Sequence, residues 1–368
     1  MKKTIVGVIG SGAISGIYLT NMTSRFANLT VKGIASRNFE NAKKKAEEFG
    51  IRAYRSTEEL LADNDIELVV VLVPVGAHYE LIRQALLAGK NVYTEKTITE
   101  TAAQAEELCR IAEEKGLYLG SAPDTFLGTG FQTARKAVDD GMIGEIHSFS
   151  ISITRKNDFL TAMFPFLRMS GAGALRDYLV YYLTALVSIL GPVKKVYAVL
   201  KAPYPKRKNE VPETNGYGEF IDTPNEAVIA AAVELQNGIA GTIHEDNESV
   251  AFDRADFVLC GRDGILKLGN PNHFGDPVEL QKSDGWHRSE PVVLDPVGSY
   301  SDNSRGIGPA ELADAMQNGR KNRTDKYMAL HVLKVIEAME KSAAEGIAVE
   351  IDSAFEQPAL FEESFDAE

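Results

Sequence analysis

After Ile9 the chain reads Gly10-Ser11-Gly12-Ala13-Ile14-Ser15-Gly16. Two glycines one residue apart allow a tight turn and let backbone N–H groups approach a diphosphate. A helix opening through Ala13 and Ile14 would add the positive end of its dipole. The third position of the dinucleotide fingerprint wants a small residue, and Ser15 supplies it with Gly16 beside it. A purely structural turn uses the same residues. Here, however, the turn follows the first strand pattern and opens the first helical one, which is the context a dinucleotide site requires. About 20 residues further on, an acid would hold the ribose 2′-hydroxyl of NAD. This chain has Ser36 and Arg37 there, with no carboxylate before Glu40. A hydroxyl and a guanidinium suit a 2′-phosphate. NADP is therefore the expected cofactor, with NAD as the alternative; a solvated serine and arginine are the bland reading.

Lys96 ends the segment Asn91-Val92-Tyr93-Thr94-Glu95-Lys96, at the carboxyl edge where open α/β sheets hold ligands. Ser121-Ala122-Pro123-Asp124-Thr125-Phe126 follows the last strand of the first half, either as a substrate-contacting segment through Asp124 or as a hinge. Arg155, Lys156, Asp158 and Arg176 add charges suited to hydroxyls or to an acidic sugar.

Other chemistries are absent. The histidines at 78, 147, 244, 273, 287 and 331 form no ligand pair at metal spacing, so no metal is expected. His244-Glu245-Asp246-Asn247-Glu248 lacks the second histidine of a zincin helix, and neither a Gly-x-Ser-x-Gly elbow nor a phosphate loop ending in Gly-Lys-Ser/Thr occurs. Cys109 and Cys260 match neither a disulfide framework nor a zinc pair, and both fall in patterns that would bury them. The formal charge of −13 argues against nucleic acid, and Lys206-Arg207-Lys208 reads as a solvated loop. No run approaches the ~20 apolar residues of a membrane span, and the first residues do not form a signal peptide. A cytoplasmic protein is expected.

Two rhythms must position these residues. Strand patterns at 4–9, 31–35, 51–54, 68–73, 91–95 and 117–120 alternate with helical ones through residue 115. Such alternation implies a doubly wound parallel Rossmann sheet, with residues 1–122 as the dinucleotide-binding domain. Residues 123–368 follow as an α+β domain for substrate binding and oligomerisation. Helices are expected at 131–139, 175–190, 310–316 and 327–344. Strands at 148–154, 193–200, 227–235, 239–244, 255–260 and 265–268 run without helices between most of them. Asn237-Gly238 and Asp263-Gly264 mark hairpins. The result is an open-faced, largely antiparallel sheet, whose apolar outer face would be covered in a homodimer or homotetramer. Residues 201–224 and 270–305 read as long loops.

The glycine turn, Leu72-Val73-Pro74 with Ala77-His78, Glu95-Lys96, and Gly171-Ala172-Gly173-Ala174-Leu175-Arg176-Asp177-Tyr178-Leu179-Val180-Tyr181 resemble the Gfo/Idh/MocA oxidoreductases over nearly the whole chain. The resemblance implies hydride transfer between a nicotinamide and a secondary alcohol or ketone of a sugar, polyol or related small molecule. It places Pro74, His78, Glu95 and Lys96 at the cofactor and Lys96, Asp177 and Tyr181 at the substrate, where the positions of Asp124, Arg155 and Arg176 also put those residues. The family's Glu-Lys-Pro becomes Glu95-Lys96-Thr97, a glycine becomes Leu179, the histidine position holds Tyr181, and an aspartate becomes Thr184. Tyrosine at that position resembles the dihydrodiol dehydrogenase and glucose–fructose oxidoreductase type. Asp177 and Tyr181, four apart on a helix, share a face. A lysine ammonium beside the phenol would favour phenolate, so Lys96 and Tyr181 would relay a proton with Asp177 orienting. Alternatively Tyr178, Tyr181 and Tyr182 are all core. Two other functions fit the resemblance: glycoside cleavage through transient redox by bound NAD, and a non-catalytic nucleotide-binding regulator.

Overall fold

The run Leu68–Val71 is buried at every position, as a central strand covered on both faces should be. The computed structural model that shows this describes residues 2–169, 171–251, 254–283, 285–353 and 355–367. The chain forms two units. One comprises Met1–Thr129, Gly298–Leu333 and Glu356–Glu368, the other Gly130–Val297 and Lys334–Phe355.

In the first unit β1 (Thr4–Ile9), α1 (Ser15–Ser24), β2 (Leu29–Ala35), α2 (Phe39–Phe49), β3 (Arg52–Ala53) and α3 (Thr57–Leu61) are followed by β4 (Leu68–Val71), α4 (His78–Leu87), β5 (Asn91–Thr94), α5 (Ala102–Glu114) and β6 (Leu119–Ser121). The strands pair in parallel in the order β3-β2-β1-β4-β5-β6, the doubly wound arrangement expected. Local signals set the helix ends. Asn38 caps α2, which stops at Gly50 with φ 65°, and Thr101 with Gln104 forms a capping box on α5. Register then aligns the carboxyl ends, because Ala35 pairs with Ile9, Ile9 with Val71, Val71 with Thr94, and Thr94 with Ser121. The residues just beyond this row share one edge of the sheet.

The second unit contains most of α6 (Thr129–Asp139), then β7 (Ile146–Thr154), α7 (Asn157–Met163), α8 (Val180–Leu190), β8 (Val193–Lys201), β9 (Lys206–Lys208), β10 (Phe220–Asp222), β11 (Val228–Leu235), β12 (Ala240–Asp246), β13 (Arg254–Gly261), β14 (Gly264–Leu268), β15 (Glu279–Lys282), β16 (Val292–Val293) and β17 (Val349–Glu350). Nine strands run β16-β15-β14-β13-β7-β12-β11-β8-β17, antiparallel except where β7 lies parallel to β12. The Asn-Gly and Asp-Gly turns join β11 to β12 and β13 to β14 as antiparallel pairs. On β7, Phe149, Ile151 and Ile153 are buried, the face their alternation predicts.

Three features differ from the sequence reading. Residues 175–190 are not one α-helix: Leu175–Leu179 form a π-helical turn before α8. The extra residue in a wide turn leaves the apolar pattern almost unchanged, so periodicity does not reveal it. The expected loops hold two hairpin-like pairs, β9 with β10 and β15 with β16. Finally, the basic cluster is not a solvated loop. Arg207 is 8% exposed and pairs with Asp158 at 2.7 Å and Glu248 at 2.6 Å, while Lys206 and Lys208 on either side face solvent. Cys109 is buried but Cys260 only half-buried. Among the described residues no helix is long and apolar enough to cross a membrane, and no group of three His, Cys, Asp or Glu side chains is placed to hold a metal.

Candidate active site

In the first unit the glycine turn sits on the carboxyl edge. Gly10 has φ 113°, its N–H donates to Ala35 O at 2.9 Å, and an added Cβ would strike the Leu72 carbonyl. Only glycine fits there. Gly12 is different: it is exposed, and no atom of the described residues lies within 4 Å of where its Cβ would stand. Ala13 and Ile14 are exposed beside it. Open space above a glycine at the start of α1 is the cradle a diphosphate needs. The Ser11 hydroxyl donates to Ser36 Oγ at 2.9 Å, and Arg37 is exposed at the end of β2. Ser11, Ser36 and Arg37 thus border one edge of that cradle.

Lys96 follows β5 on the same edge and is half-buried. Its peptide bond to Thr97 is cis. The neighbouring Glu95 is held from two sides, accepting the Tyr18 hydroxyl at 2.7 Å and the Lys96 N–H at 3.2 Å. Burial, with Asp124 and Glu95 nearby, holds the Tyr18 phenol well above its usual range, so it donates rather than ionises. His78 is 0% exposed, with Nδ1 2.8 Å from Thr97 O and Nε2 2.9 Å from Val73 O. The ring is sealed between the segments that follow β4 and β5, and burial lowers its pKa. In this conformation it braces the Lys96–Thr97 segment instead of reaching a ligand. Pro74, by contrast, is exposed.

Asp124 is 1% exposed, and its Oδ2 accepts the N–H groups of Gly306 and Gly308 at 3.1 Å each. Those amides open the helix Ile307–Asn318, so the carboxylate sits at a positive helix end. Burial nevertheless pushes it up to about 6, with Glu95 adding to the shift and Arg305 opposing it.

The second unit holds the other predicted residues. Arg155 and Asp177 meet at 3.8 Å, and the Arg155 guanidinium lies 3.7 Å above the Tyr178 ring. Both Arg155 and Asp177 line a pocket with Asn157, Thr161, Glu226 and Asn247. Arg176 does not line it. It turns instead to Glu340 through two 2.9 Å hydrogen bonds, so its fork is already matched. The three tyrosines separate as well: Tyr178 and Tyr182 are buried, with Tyr178 accepting a hydrogen bond from Asn270 at 2.7 Å, while Tyr181 is half-buried. Glu226 holds the start of the π turn, accepting the Leu175 N–H at 3.1 Å. Gly173 packs against that carboxylate, where a Cβ would clash.

Sequence reasoning missed Glu226, Asn247 and Glu245. The last was left outside the strand ending at 244, although β12 runs to Asp246 and buries it. The available signal was a glutamate two residues after Ile243, in a slot where alternation calls for an apolar side chain.

The doubly wound sheet, with an open glycine turn and a lysine on its carboxyl edge, and the nine-stranded mixed sheet that follows it in sequence are the elements on which a nucleotide cofactor and a substrate could be held. The chain belongs to the Gfo/Idh/MocA family: its NAD-binding Rossmann-fold oxidoreductase domain matches residues 5–122, and its C-terminal domain matches residues 131–267. The protein is an NAD(P)-dependent oxidoreductase. An uncharacterized oxidoreductase of Schizosaccharomyces pombe is 33% identical over 152 residues, a match spanning 41% of each chain. The scyllo-inositol 2-dehydrogenase (NADP(+)) of Bacillus subtilis is 25% identical over 92% of this chain and 94% of its own. Levoglucosan dehydrogenase in complex with NADH and L-sorbose shares the fold with a TM-score of 0.82 and 20% identity, covering 95% of this chain and 99% of that one.

Proposed function

We propose that the protein transfers hydride between a nicotinamide cofactor and a secondary alcohol or ketone of a sugar or polyol, with NADP preferred. The observation that carries this reading is the row of carboxyl ends. It presents an open Gly12, the Ser11–Ser36 pair with exposed Arg37, and Lys96 on one edge. Gly10, Gly12, Ala13 and Ile14 would hold the diphosphate, Ser36 and Arg37 the 2′-phosphate, and Pro74, Glu95 and Lys96 the nicotinamide half. The names of the inositol and levoglucosan dehydrogenases support the substrate class.

When bound, the cofactor supplies a hydride acceptor or donor at nicotinamide C4. The chain's own task is the proton. In oxidation Tyr181, its phenolate stabilised by the Lys96 ammonium, would take the proton of the substrate hydroxyl, and in reduction it would return that proton. Asp177 orients the substrate's hydroxyls with Arg155, and the buried Asp124 sets the field around Lys96. His78 positions the Lys96–Thr97 segment. Tyr181, in the family's histidine position, supports reading the protein as one of the dihydrodiol dehydrogenase type. Residues 1–122 serve the cofactor and 123–368 the substrate. Tyr197 and Val199, exposed on the outer face of β8, belong to the surface through which copies associate.

Lys96→Ala and Tyr181→Phe should each lower kcat about a hundredfold or more, the scale of a lost proton-transfer group, while cofactor still binds. Full turnover in both variants would refute the relay.

A further inference from the structure

On β12, Ile243 and Glu245 are buried while Thr242 and His244 are exposed. Glu245 therefore occupies the sheet's covered face, in register with Ile229 of β11 and Ile153 of β7. It is an acid in a row of aliphatic side chains. It is 0% exposed, and among the described residues neither carboxyl oxygen meets a partner in full hydrogen-bond geometry, although the Asn247 side chain lies close enough to favour its ionised form. Two residues on, Asn247 is also buried, and its Oδ1 likewise meets no partner among the described residues. Asn247 lines the pocket formed with Arg155, Asp177 and Glu226.

One of these oxygens belongs to Asn247, in the pocket wall, and the buried Glu245 carboxyl is within electrostatic reach of the pocket residues Arg155, Asp177 and Glu226. Buried oxygens without a full partner among the described residues are expensive unless something completes them. The surrounding charge says what that is. Among the described lining residues Arg155 is the cation, and it already sits beside Asp177, which leaves little positive charge for a ligand carboxylate. Burial pushes Glu245 up to about 8 against the pull of Arg155 and of the Asn247 side chain, with Asp177 and Glu226 adding to the rise; burial raises Glu226 too. Near neutral pH Glu245 is a carboxylic acid, able to donate one hydrogen bond and accept others, as the Asn247 carboxamide also can. Sugar hydroxyls have the same dual character.

We propose that Asn247, at the wall of this pocket and positioned by the buried Glu245 behind it, forms its specificity-determining end and takes the hydroxyl groups of an uncharged sugar or polyol. This rests on the reading of the protein as a sugar or polyol oxidoreductase. Glu245 acts through Asn247, so the two residues form one unit.

The test is steady-state kinetics with NADP(H) on scyllo-inositol, D-xylose, D-glucose and D-glucuronate, for wild type, Glu245→Leu, Glu245→Gln, Asn247→Ala and the Leu/Ala double variant. Glu245→Leu should raise KM for the best neutral substrate about tenfold with a smaller change in kcat, the scale of one lost hydrogen bond in a dry site. Glu245→Gln should recover most of that loss. The double variant should be about as impaired as either single one, because coupled residues are not additive. Leucine matches the aliphatic row, so the Tm of Glu245→Leu should equal or exceed that of wild type. An unchanged KM in Glu245→Leu, multiplying effects in the double variant, a fall in Tm, or a wild-type preference for D-glucuronate over D-glucose would each overturn the inference alone. Wild-type protein that binds cofactor and turns over none of the neutral compounds would overturn the parent reading, and this one with it.

Discussion

Arg37 and Glu245 represent opposite uses of a charged side chain. Arg37 is exposed beside the Ser11–Ser36 pair, where a solvated guanidinium costs nothing until a phosphate arrives. Arg37→Ala should reduce NADPH affinity about tenfold to a hundredfold and leave NADH affinity nearly unchanged, the range of one charge-assisted contact. Fluorescence titration of reduced cofactors into the protein checks this, and an equal loss for both would remove Arg37 from the 2′-phosphate. Glu245 is buried at a cost. Its folded-state pKa lies near 8, above the usual 4.5, so the folded protein holds that proton more tightly than the unfolded chain. Its contribution to stability is complete below about pH 4.5 and is lost as pH rises toward 8. Asp124, raised to about 6 by burial, has the same sign over a lower window. Glu245→Gln removes one of these titrations, so its Tm advantage over wild type should widen between pH 5 and pH 8. A gap that stays constant would show that Glu245 is ionised at both ends of the range.

The turn between β1 and α1 separates two roles that the same residue type plays. At Gly10 the positive φ and the Leu72 carbonyl exclude any side chain, whereas Gly12 faces empty space. Gly10→Ala should lower Tm by several degrees, since strain and a backbone clash must both be relieved. Gly12→Ala should keep its Tm and instead weaken cofactor binding about tenfold, because its methyl occupies the approach of the diphosphate. Thermal melts and cofactor titrations on both variants distinguish the two roles; normal cofactor affinity in Gly12→Ala would place the diphosphate elsewhere. The glycine spacing was legible from sequence because turn and helix are both local. The π turn at Leu175–Leu179 was not, since one inserted residue leaves the apolar pattern intact. The extent of β12 was misjudged for a related reason: a polar residue on a covered face looks like the end of a strand.

At the scale of the molecule, the parallel sheet was legible because strands and helices alternate, and the mixed sheet because Asn-Gly and Asp-Gly turns sit between alternating runs. Long-range partners were not. Nothing near Asp124 announces that the amides of Gly306 and Gly308 will take its carboxylate. Nothing near Arg207 announces Glu248, and so a buried ion pair read as a solvated cluster. Arg176 shows the same limit, since its match with Glu340 depends on a helix 164 residues away. Local pattern yields elements and motifs, whereas the charge balance of a pocket requires the packing.

The central claim is that this chain moves hydride between NADP(H) and a hydroxylated carbon with Lys96 taking part. The direct measurement is the absorbance of reduced nicotinamide while wild type and Lys96→Ala are supplied with NADP+ and the neutral sugars and polyols named above. The account predicts reduced cofactor accumulating with at least one compound for wild type, and a rate about a hundredfold lower for a Lys96→Ala variant that still binds NADP+. Cofactor-bound wild type that is silent with every compound, or a Lys96→Ala variant as fast as wild type, would contradict it.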